Sequence, residues 1–250
     1  MRNLLYAAYG VAAYAFSCAT VVYAVGFVGG LPIPGLKTLD SGVAVPPGEA
    51  VLTDLLLLGV FALQHSVMAR PAFKRAWARV VPAALERSTY VLAAAAALAL
   101  LMWQWRPLPS VVWDLSGTLA RPFLDSAFVA GWAVLLIATF LLDHFELFGL
   151  RQSTAPLFRW PEADGEFRTP GLYAYVRHPI YLGFVMAFWA APVMTAGHLL
   201  FAAACTAYIL LGIWFEERDL VAHFGEQYLA YRRKAGMLLP RIGRRDVARW

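Results

Sequence analysis

Residues 4–28 read LLYAAYGVAAYAFSCATVVYAVGFV, twenty-five consecutive positions without Asp, Glu, Lys, Arg or His. A helix needs roughly 20 apolar residues to cross a bilayer, so this stretch predicts a membrane-spanning helix. Five more stretches follow: Ala50–Met68, Ser88–Trp105, Ser126–Phe148, Pro179–Thr195 and His198–Phe215. The last two are short and joined only by Ala196 and Gly197. They predict a tight helical hairpin that crosses and returns, or re-enters on the same side if its arms fall short. Composition agrees: 60% of the 250 residues are hydrophobic and 15% charged, against about 45–50% and about 25% in soluble domains. The expected fold is an all-α integral membrane protein of about six helical spans, one domain over residues 1–250 without internal repeats.

Basic residues orient it. In the six-span reading, alternate non-membrane segments hold eighteen and three of the 21 Lys and Arg residues. The basic-rich side is cytosolic by the positive-inside rule, which puts both termini in the cytosol. The net charge of +5 reflects that asymmetry and not nucleic-acid binding, because no soluble basic domain presents it. The first apolar run is long and lacks a clear small-residue cleavage site, as expected of a retained helix and not a signal peptide. Cys18 and Cys205 both fall inside spans, so no disulfide framework is expected. The loop 29–49 holds Pro32, Pro34, Pro46 and Pro47 and should be irregular. Trp103, Trp105 and Trp113 read as an interfacial aromatic belt.

Two polar segments flank the hairpin on the predicted cytosolic side. One, 149–178, carries Arg151, Arg159, Glu162, Asp164, Glu166, Arg168 and Arg177; the other, 216–250, carries a Glu-Glu-Arg-Asp run and eight basic residues. The densest string is Gly171-Leu-Tyr173-Ala-Tyr175-Val-Arg177-His178-Pro179-Ile-Tyr181-Leu-Gly183. Pro179 suits a first helical turn, which sets Arg177 and His178 at a helix N-terminus, where backbone N–H groups and the dipole favour an anion. Arg adds a planar fork for a carboxylate, and the tyrosines offer ring faces to a cation or an adenine. Residues of these types also serve as plain headgroup anchors, and both readings stand on the residues alone. Glu216 and Glu217 run against the basic preference at a span end; a carboxylate there suits ribose hydroxyls or an amine. Arg218 and Asp219 read as a solvated pair.

Together, Arg177-His178-Pro179-x-Tyr181-x-Gly183, Glu216-Glu217 and Phe224-Gly225-x-x-Tyr228-x-x-Tyr231 resemble the isoprenylcysteine carboxyl methyltransferase superfamily of integral membrane methyltransferases. The resemblance implies that the hairpin and its flanks, within about residues 149–240, bind S-adenosylmethionine. By position it puts Gly171, Tyr173, His178, Gly183 with Phe184 to Met186, and Glu216 on cofactor contacts. Arg177, Tyr181 and Glu217 complete the cofactor candidates. Prenylcysteine enzymes carry a substrate-handling Arg four residues before the cofactor Glu; Gly212 stands there, which speaks against a prenylcysteine ester as product.

The amino-terminal half narrows the family. Gln64-His65-Ser66-Val67-Met68-Ala69-Arg70-Pro71, Glu86-Arg87-Ser88-Thr89-Tyr90-Val91-Leu92 and Asp143-His144-Phe145-Glu146-Leu147-Phe148-Gly149-Leu150-Arg151-Gln152 resemble the membrane methanethiol S-methyltransferases. That resemblance implies a small thiol as substrate and dimethyl sulfide as product. Methyl transfer is an in-line displacement in which alignment contributes about 7–11 kcal/mol. The nucleophile is a thiolate, and even a cysteine thiol ionises only at about pH 8.5, so a base or a nearby cation is expected. His65, Asp143, His144, Glu146 and Arg151 form the candidate catalytic set. Asp143 and Glu146 are three apart and share a helix face; their alternative is a structural ion pair with Arg87 or Arg151. Asp143 and His144 are adjacent and point to different faces, so no metal is expected.

The competing readings are a prenylcysteine or phospholipid methyltransferase of the same superfamily, and a nicotinamide-dependent sterol-type reductase, which shares an Arg-His-Pro element. A non-catalytic membrane component fits poorly with two polar clusters on one side. The expected setting is a bacterial inner membrane, with the active site facing the cytosol, the lipid bilayer as surroundings and no obligate protein partner.

Overall fold

The computed structural model describes residues 1–31, 33–158, 160 and 167–241. Its helices are α1 (Arg2–Gly29), α2 (Pro47–Ala69), α3 (Pro71–Trp77), α4 (Ala83–Gln104), α5 (Ala120–Leu142), α6 (His144–Leu147), α7 (Leu150–Thr154), α8 (Pro179–Trp189), α9 (Ala196–Phe224) and α10 (Glu226–Lys234). Strands β1 (Val111–Asp114) and β2 (Val193–Thr195) form a two-stranded sheet. Five helices, α1, α2, α4, α5 and α9, are long and apolar enough to cross a membrane. The chain is an all-α integral membrane protein. Proline opens α2, α3 and α8 at the first helical positions, where its missing N–H costs no hydrogen bond.

Several expected boundaries move. The fourth span was expected to run to Phe148, but α5 stops at Leu142. Asp143 takes a left-handed φ of 98° and its side chain accepts the Glu146 N–H at 3.0 Å, capping the new helix α6. The hairpin is unequal: α8 has 11 residues and α9 has 29. At 1.5 Å per residue α8 is about 16 Å long, roughly half of a 30 Å hydrocarbon core. Pro192 lies just beyond α8, and a proline disfavours helix at the residue before it; the chain turns into β2 instead of filling out the fifth stretch.

The chain divides into two compact units. The first comprises Met1–Val112, Asp143–Glu162 and Met194–His198. Within it α1 packs on α4 and α7, and α2 packs on α4. The seam is built from small residues: a Cβ on Gly10 would lie 1.8 Å from Ser153 Oγ, and one on Gly149 would lie 2.5 Å from the Ser88 nitrogen. Ser88 and Ser153 are fully buried, and Ser88 Oγ donates to the Gly149 carbonyl at 2.9 Å. Apolar helices gain little from each other by hydrophobicity inside lipid, so close backbone approach and hydrogen bonds hold them together.

The second unit comprises Trp113–Leu142, Ala163–Val193 and Leu199–Trp250. Its main contact is α5 against α8, again through glycines. A Cβ on Gly183 would meet the Gly131 carbonyl oxygen at 2.6 Å, and one on Gly131 would meet the Gly183 oxygen at 2.7 Å. This fixes α8, and with it the Arg177–His178 corner, against a long helix.

Candidate active site

In the second unit the string around Arg177 is held from both sides. A 3₁₀ turn, Gly171–Ala174, precedes it; Gly171 has φ +53°, a conformation open mainly to glycine. Val176 forms a parallel bridge with Gly236, and the N–H groups of Arg177 and His178 donate to the carbonyls of Gly236 and Met237 at 2.8 and 3.2 Å. The segment after α10 is thereby stitched to the start of α8. Arg177 Nε donates to Glu217 Oε1 at 2.7 Å, and its NH1 donates to the carbonyls of Ala235 at 2.6 Å and Arg232 at 3.3 Å. A guanidinium at the last carbonyls of α10 suits the negative end of that helix. The fork expected for a ligand carboxylate is thus engaged by Glu217 and the α10 terminus. Arg177 ties α8, α9 and α10 together.

Glu217 is the hub of this cluster. His178 Nε2 lies 3.2 Å from its Oε1 and Arg232 Nε lies 3.6 Å from its Oε2. The Glu217 and Arg177 side chains are only 12% and 7% exposed. Glu216, one residue back, is 45% exposed, lies 3.8 Å from His178 Nδ1 and accepts the Tyr181 hydroxyl at 3.0 Å. The Tyr181 ring stacks on His178 at 5.6 Å. Tyr231 donates to the Tyr173 carbonyl at 2.5 Å, and Phe167 packs against Phe224, Tyr228 and Tyr231. Burial, with Glu216 and Tyr231 close by, raises the Tyr173 phenol above its ordinary range. Burial and then Glu217 push Tyr228 up to about 12. These phenols are donors, not bases. The Tyr228 hydroxyl is buried and has no hydrogen-bond partner among the described residues.

The first unit gathers the other candidates. Arg151 NH1 bonds Asp143 Oδ2 and lies 3.5 Å from Glu146 Oε2, so the predicted structural pairing with Arg151 is realised. Arg87 instead donates to the Leu147 carbonyl at 2.8 Å. His144 is 7% exposed. Its Nε2 lies 3.0 Å from the Tyr14 hydroxyl, and its ring packs on Phe148 at 4.7 Å. Burial lowers its pKa, with Asp143 opposing. His65, on α2, stacks on Phe61 and meets the Tyr90 hydroxyl at 2.9 Å from Nε2 and 3.1 Å from Nδ1. Arg87 lies 5.4 Å from the Tyr90 ring centroid, so α4 touches both histidine environments. Among the described residues, no group of three or more His, Cys, Asp or Glu is placed to hold a metal ion.

Comparison with known proteins adds to this geometry. Residues 87–235 match a family model described as "protein of unknown function (DUF1295)". The methanethiol S-methyltransferase of Mycobacterium tuberculosis is 53% identical over 240 residues, 96% of this chain and 98% of that protein. The methanethiol S-methyltransferase of Pseudomonas deceptionensis is 50% identical over 217 residues, 87% of this chain and 82% of that one. The chain belongs to the methanethiol S-methyltransferase family. Nurim of Danio rerio is a more distant relative, 32% identical over 202 residues, 75% of this chain and 70% of its own. No solved structure matches.

Within this methyltransferase, the structure joins Arg177, His178, Tyr181, Glu216 and Glu217 in one network, with Tyr173 beside it through Tyr231. It joins Asp143, Glu146 and Arg151 in another. Gly183 has a packing reason of its own at the α5 crossing. Arg159, Glu162, Asp164 and Glu166, with Arg244, Arg245 and Arg249 of the tail and Pro32 of the first loop, lie outside the described residues. The sequence reading passed over Tyr14, Phe167 and Arg232. Tyr14 sits in an apolar run and resembles an ordinary span tyrosine; only its partner, 130 positions away, marks it out.

Proposed function

We propose that this methyltransferase carries a methyl group from S-adenosylmethionine to methanethiol, giving dimethyl sulfide. The observation that carries the reading is the Glu216–Tyr181–His178–Glu217 cluster at the start of α8, in a chain whose relatives are named methanethiol S-methyltransferase. The residues fit the cofactor. Glu216 offers a half-open carboxylate for hydroxyl or ammonium groups, Tyr228 holds an orphaned buried hydroxyl, and the tyrosine rings suit a cation. When bound, S-adenosylmethionine supplies a methyl group on a positively charged sulfur. Glu216, Tyr181, His178, Tyr173, Gly171 and the turn around Gly183 would hold it, while Arg177 and Glu217 keep the three helices that carry those residues in register.

His65, Asp143, His144, Glu146 and Arg151 are assigned to the thiol half-reaction: binding the thiol, taking its proton and balancing charge. Gly212 supports a small substrate. Nothing lies within 4 Å of a Cβ built there, and Gly212 itself offers no guanidinium to a prenylcysteine carboxylate. The eighteen-to-three distribution of basic residues supports a cytosolic active face in a bacterial inner membrane. The domain is taken as one functional whole over residues 1–250, acting without an obligate protein partner.

The test is direct. Detergent-purified protein should bind S-adenosylhomocysteine by calorimetry and release dimethyl sulfide when given methanethiol and S-adenosylmethionine. Binding of reduced nicotinamide with no affinity for the homocysteine compound would refute methyl transfer. Methylation of a prenylcysteine or a phospholipid but not of methanethiol would refute the substrate. His178→Ala and Glu216→Ala should weaken cofactor binding, whereas His65→Ala should spare it and lower turnover.

A further inference from the structure

The chain after α10 returns to the level at which α8 enters the apolar layer. α8 reads PIYLGFVMAFW and is apolar almost throughout, so its first residue marks the edge of the membrane core. The N–H groups of Arg177 and His178, just before it, donate to the Gly236 and Met237 carbonyls at 2.8 and 3.2 Å, and the Gly236 N–H donates to the Tyr175 carbonyl at 3.0 Å. The return is a tight turn: a Cβ on Gly236 would lie 1.7 Å from the Leu239 carbonyl oxygen. Leu239 is 71% exposed, Tyr175 53% and Met237 38%. An apolar and aromatic rim exposed at that level meets the boundary between headgroups and acyl chains.

Basic residues line the same edge. Residues 226–241 hold Arg232, Arg233, Lys234 and Arg241 against one acid, Glu226. Arg232 is turned to Glu217 at 3.6 Å, and Arg233 lies 3.8 Å from Glu226. Lys234 and Arg241 are exposed on either side of the apolar turn. Arg241 NH1 donates to the Arg233 carbonyl at 2.6 Å, which folds its guanidinium back beside the basic last turn of α10. We propose that this turn, Lys234–Arg241, docks on anionic phospholipid headgroups of the surrounding bilayer, and that the docking strengthens the cofactor cluster; the second half rests on the cofactor reading above. Lys and Arg near an anionic lipid surface are attracted to it, and apolar side chains add to the binding by insertion. A small free anion would answer the charge alone. Leu239 and Met237, exposed between the two basic side chains, call for a partner that also has acyl chains.

Docking reaches the cluster through the backbone. The segment that carries Lys234 and Leu239 also supplies the Ala235 carbonyl, which accepts from Arg177 NH1 at 2.6 Å, and the bridge between Val176 and Gly236. Arg177 in turn holds Glu217, which meets His178. A headgroup that restrains the turn therefore restrains the start of α8. Coupling between two binding sites is reciprocal, so the cofactor affinity gains from the lipid and the lipid affinity from the cofactor.

The test places the full-length protein in nanodiscs of phosphatidylcholine, alone or with phosphatidylglycerol, which is anionic and has no amine to methylate. Phosphatidylglycerol should raise the melting temperature and tighten S-adenosylhomocysteine binding about fivefold, and both gains should shrink as salt rises. The double variant Lys234→Gln, Arg241→Gln should match the wild type in phosphatidylcholine and lose both gains. Lys234→Arg with Arg241→Lys should retain them, and Leu239→Ser should reduce them. Equal gains in the Gln variant, or none in the wild type, overturn the docking. Inorganic phosphate that reproduces the gains in phosphatidylcholine discs also overturns it, by revealing an anion site that needs no lipid. A melting gain without tighter analogue binding, in a wild type that binds the analogue, overturns the coupling. A wild type that binds no S-adenosylhomocysteine in either disc strikes the cofactor reading, and the melting comparison still decides the docking. If the Gln variant does not fold, the salt dependence and Leu239→Ser decide: gains indifferent to both refute the proposal.

Discussion

The two polar clusters are charge inversions of each other. In the second unit one carboxylate, Glu217, is shared by Arg177, Arg232 and His178. In the first unit one cation, Arg151, is shared by Asp143 and Glu146. Burial differs as well: Glu217 and Arg177 are 12% and 7% exposed, whereas Asp143 and Glu146 are 32% and 44% exposed. The buried hub ties three helices and cannot lose its centre without stranding charge. The open hub can let water take the place of a missing partner. A static anchor and an adjustable electrostatic setting are different devices, and the proposed division between cofactor holding and thiol activation follows that difference.

The harshest way to break the comparison is to remove the shared group of the buried hub. Glu217→Ala leaves Arg177 buried without its carboxylate, and breaking a buried pair typically costs about 3–5 kcal/mol. The variant should lose most of its thermal stability in detergent, and analogue binding should fall with it. If it melts with the wild type, Glu217 is not the anchor described.

Next comes Glu216, whose exposed carboxylate adds little to the fold. Glu216→Gln keeps the acceptor for Tyr181 and removes the charge. Calorimetry should show about a tenfold weaker S-adenosylhomocysteine affinity, equivalent to about 1.4 kcal/mol, with melting unchanged. Loss of stability without loss of affinity would reverse the roles of the two neighbouring glutamates. In the open hub, Arg151→Met removes the shared cation. Partly exposed ion pairs are worth about 1 kcal/mol or less, so melting should fall only slightly, and far less than for Glu217→Ala. A collapse equal to the latter would erase the contrast.

The architecture was more legible than the sites. The long helices follow from uninterrupted apolar runs, and α1 matches the expected stretch almost to the residue. Where the reading missed, a local backbone event intervened. The apolar pattern continues past Leu142, so nothing in hydropathy announces the left-handed turn at Asp143, which depends on a side-chain cap. Pro192 was a readable signal for ending α8 early, outweighed by the apolar residues around it. The polar residues of the second unit were legible as a group because Arg177, His178 and Tyr181 are close in sequence. Their partners were not: Glu217 reaches Arg177 across 40 positions, and only packing brings the Arg177 guanidinium to Glu217 and the last carbonyls of α10. Tyr14 is the extreme case, because a tyrosine in an apolar helix carries no sign of the histidine it meets.

The finest test of the open hub is Asp143, where cap and charge can be separated. Asn keeps an acceptor for the Glu146 N–H, serves well as an N-cap and tolerates a left-handed φ. Asp143→Asn should therefore melt within about 0.5 kcal/mol of the wild type at neutral pH, while Asp143→Ala should cost about 1 kcal/mol. The charge speaks through His144. Its pKa is lowered by burial, and Asp143 partly offsets that lowering. The unfolded chain therefore binds the histidine proton more readily than the folded one, and stability from this group falls as pH drops through the ordinary histidine range toward the folded value. Removing the Asp143 charge lowers the folded value further, so Asp143→Asn should lose slightly more stability than the wild type between about pH 7 and pH 5. Paired melts at those two pH values measure it. Parallel curves for the two proteins would mean that Asp143 acts on His144 only as a cap, and that the negative charge of the open hub serves Arg151 alone.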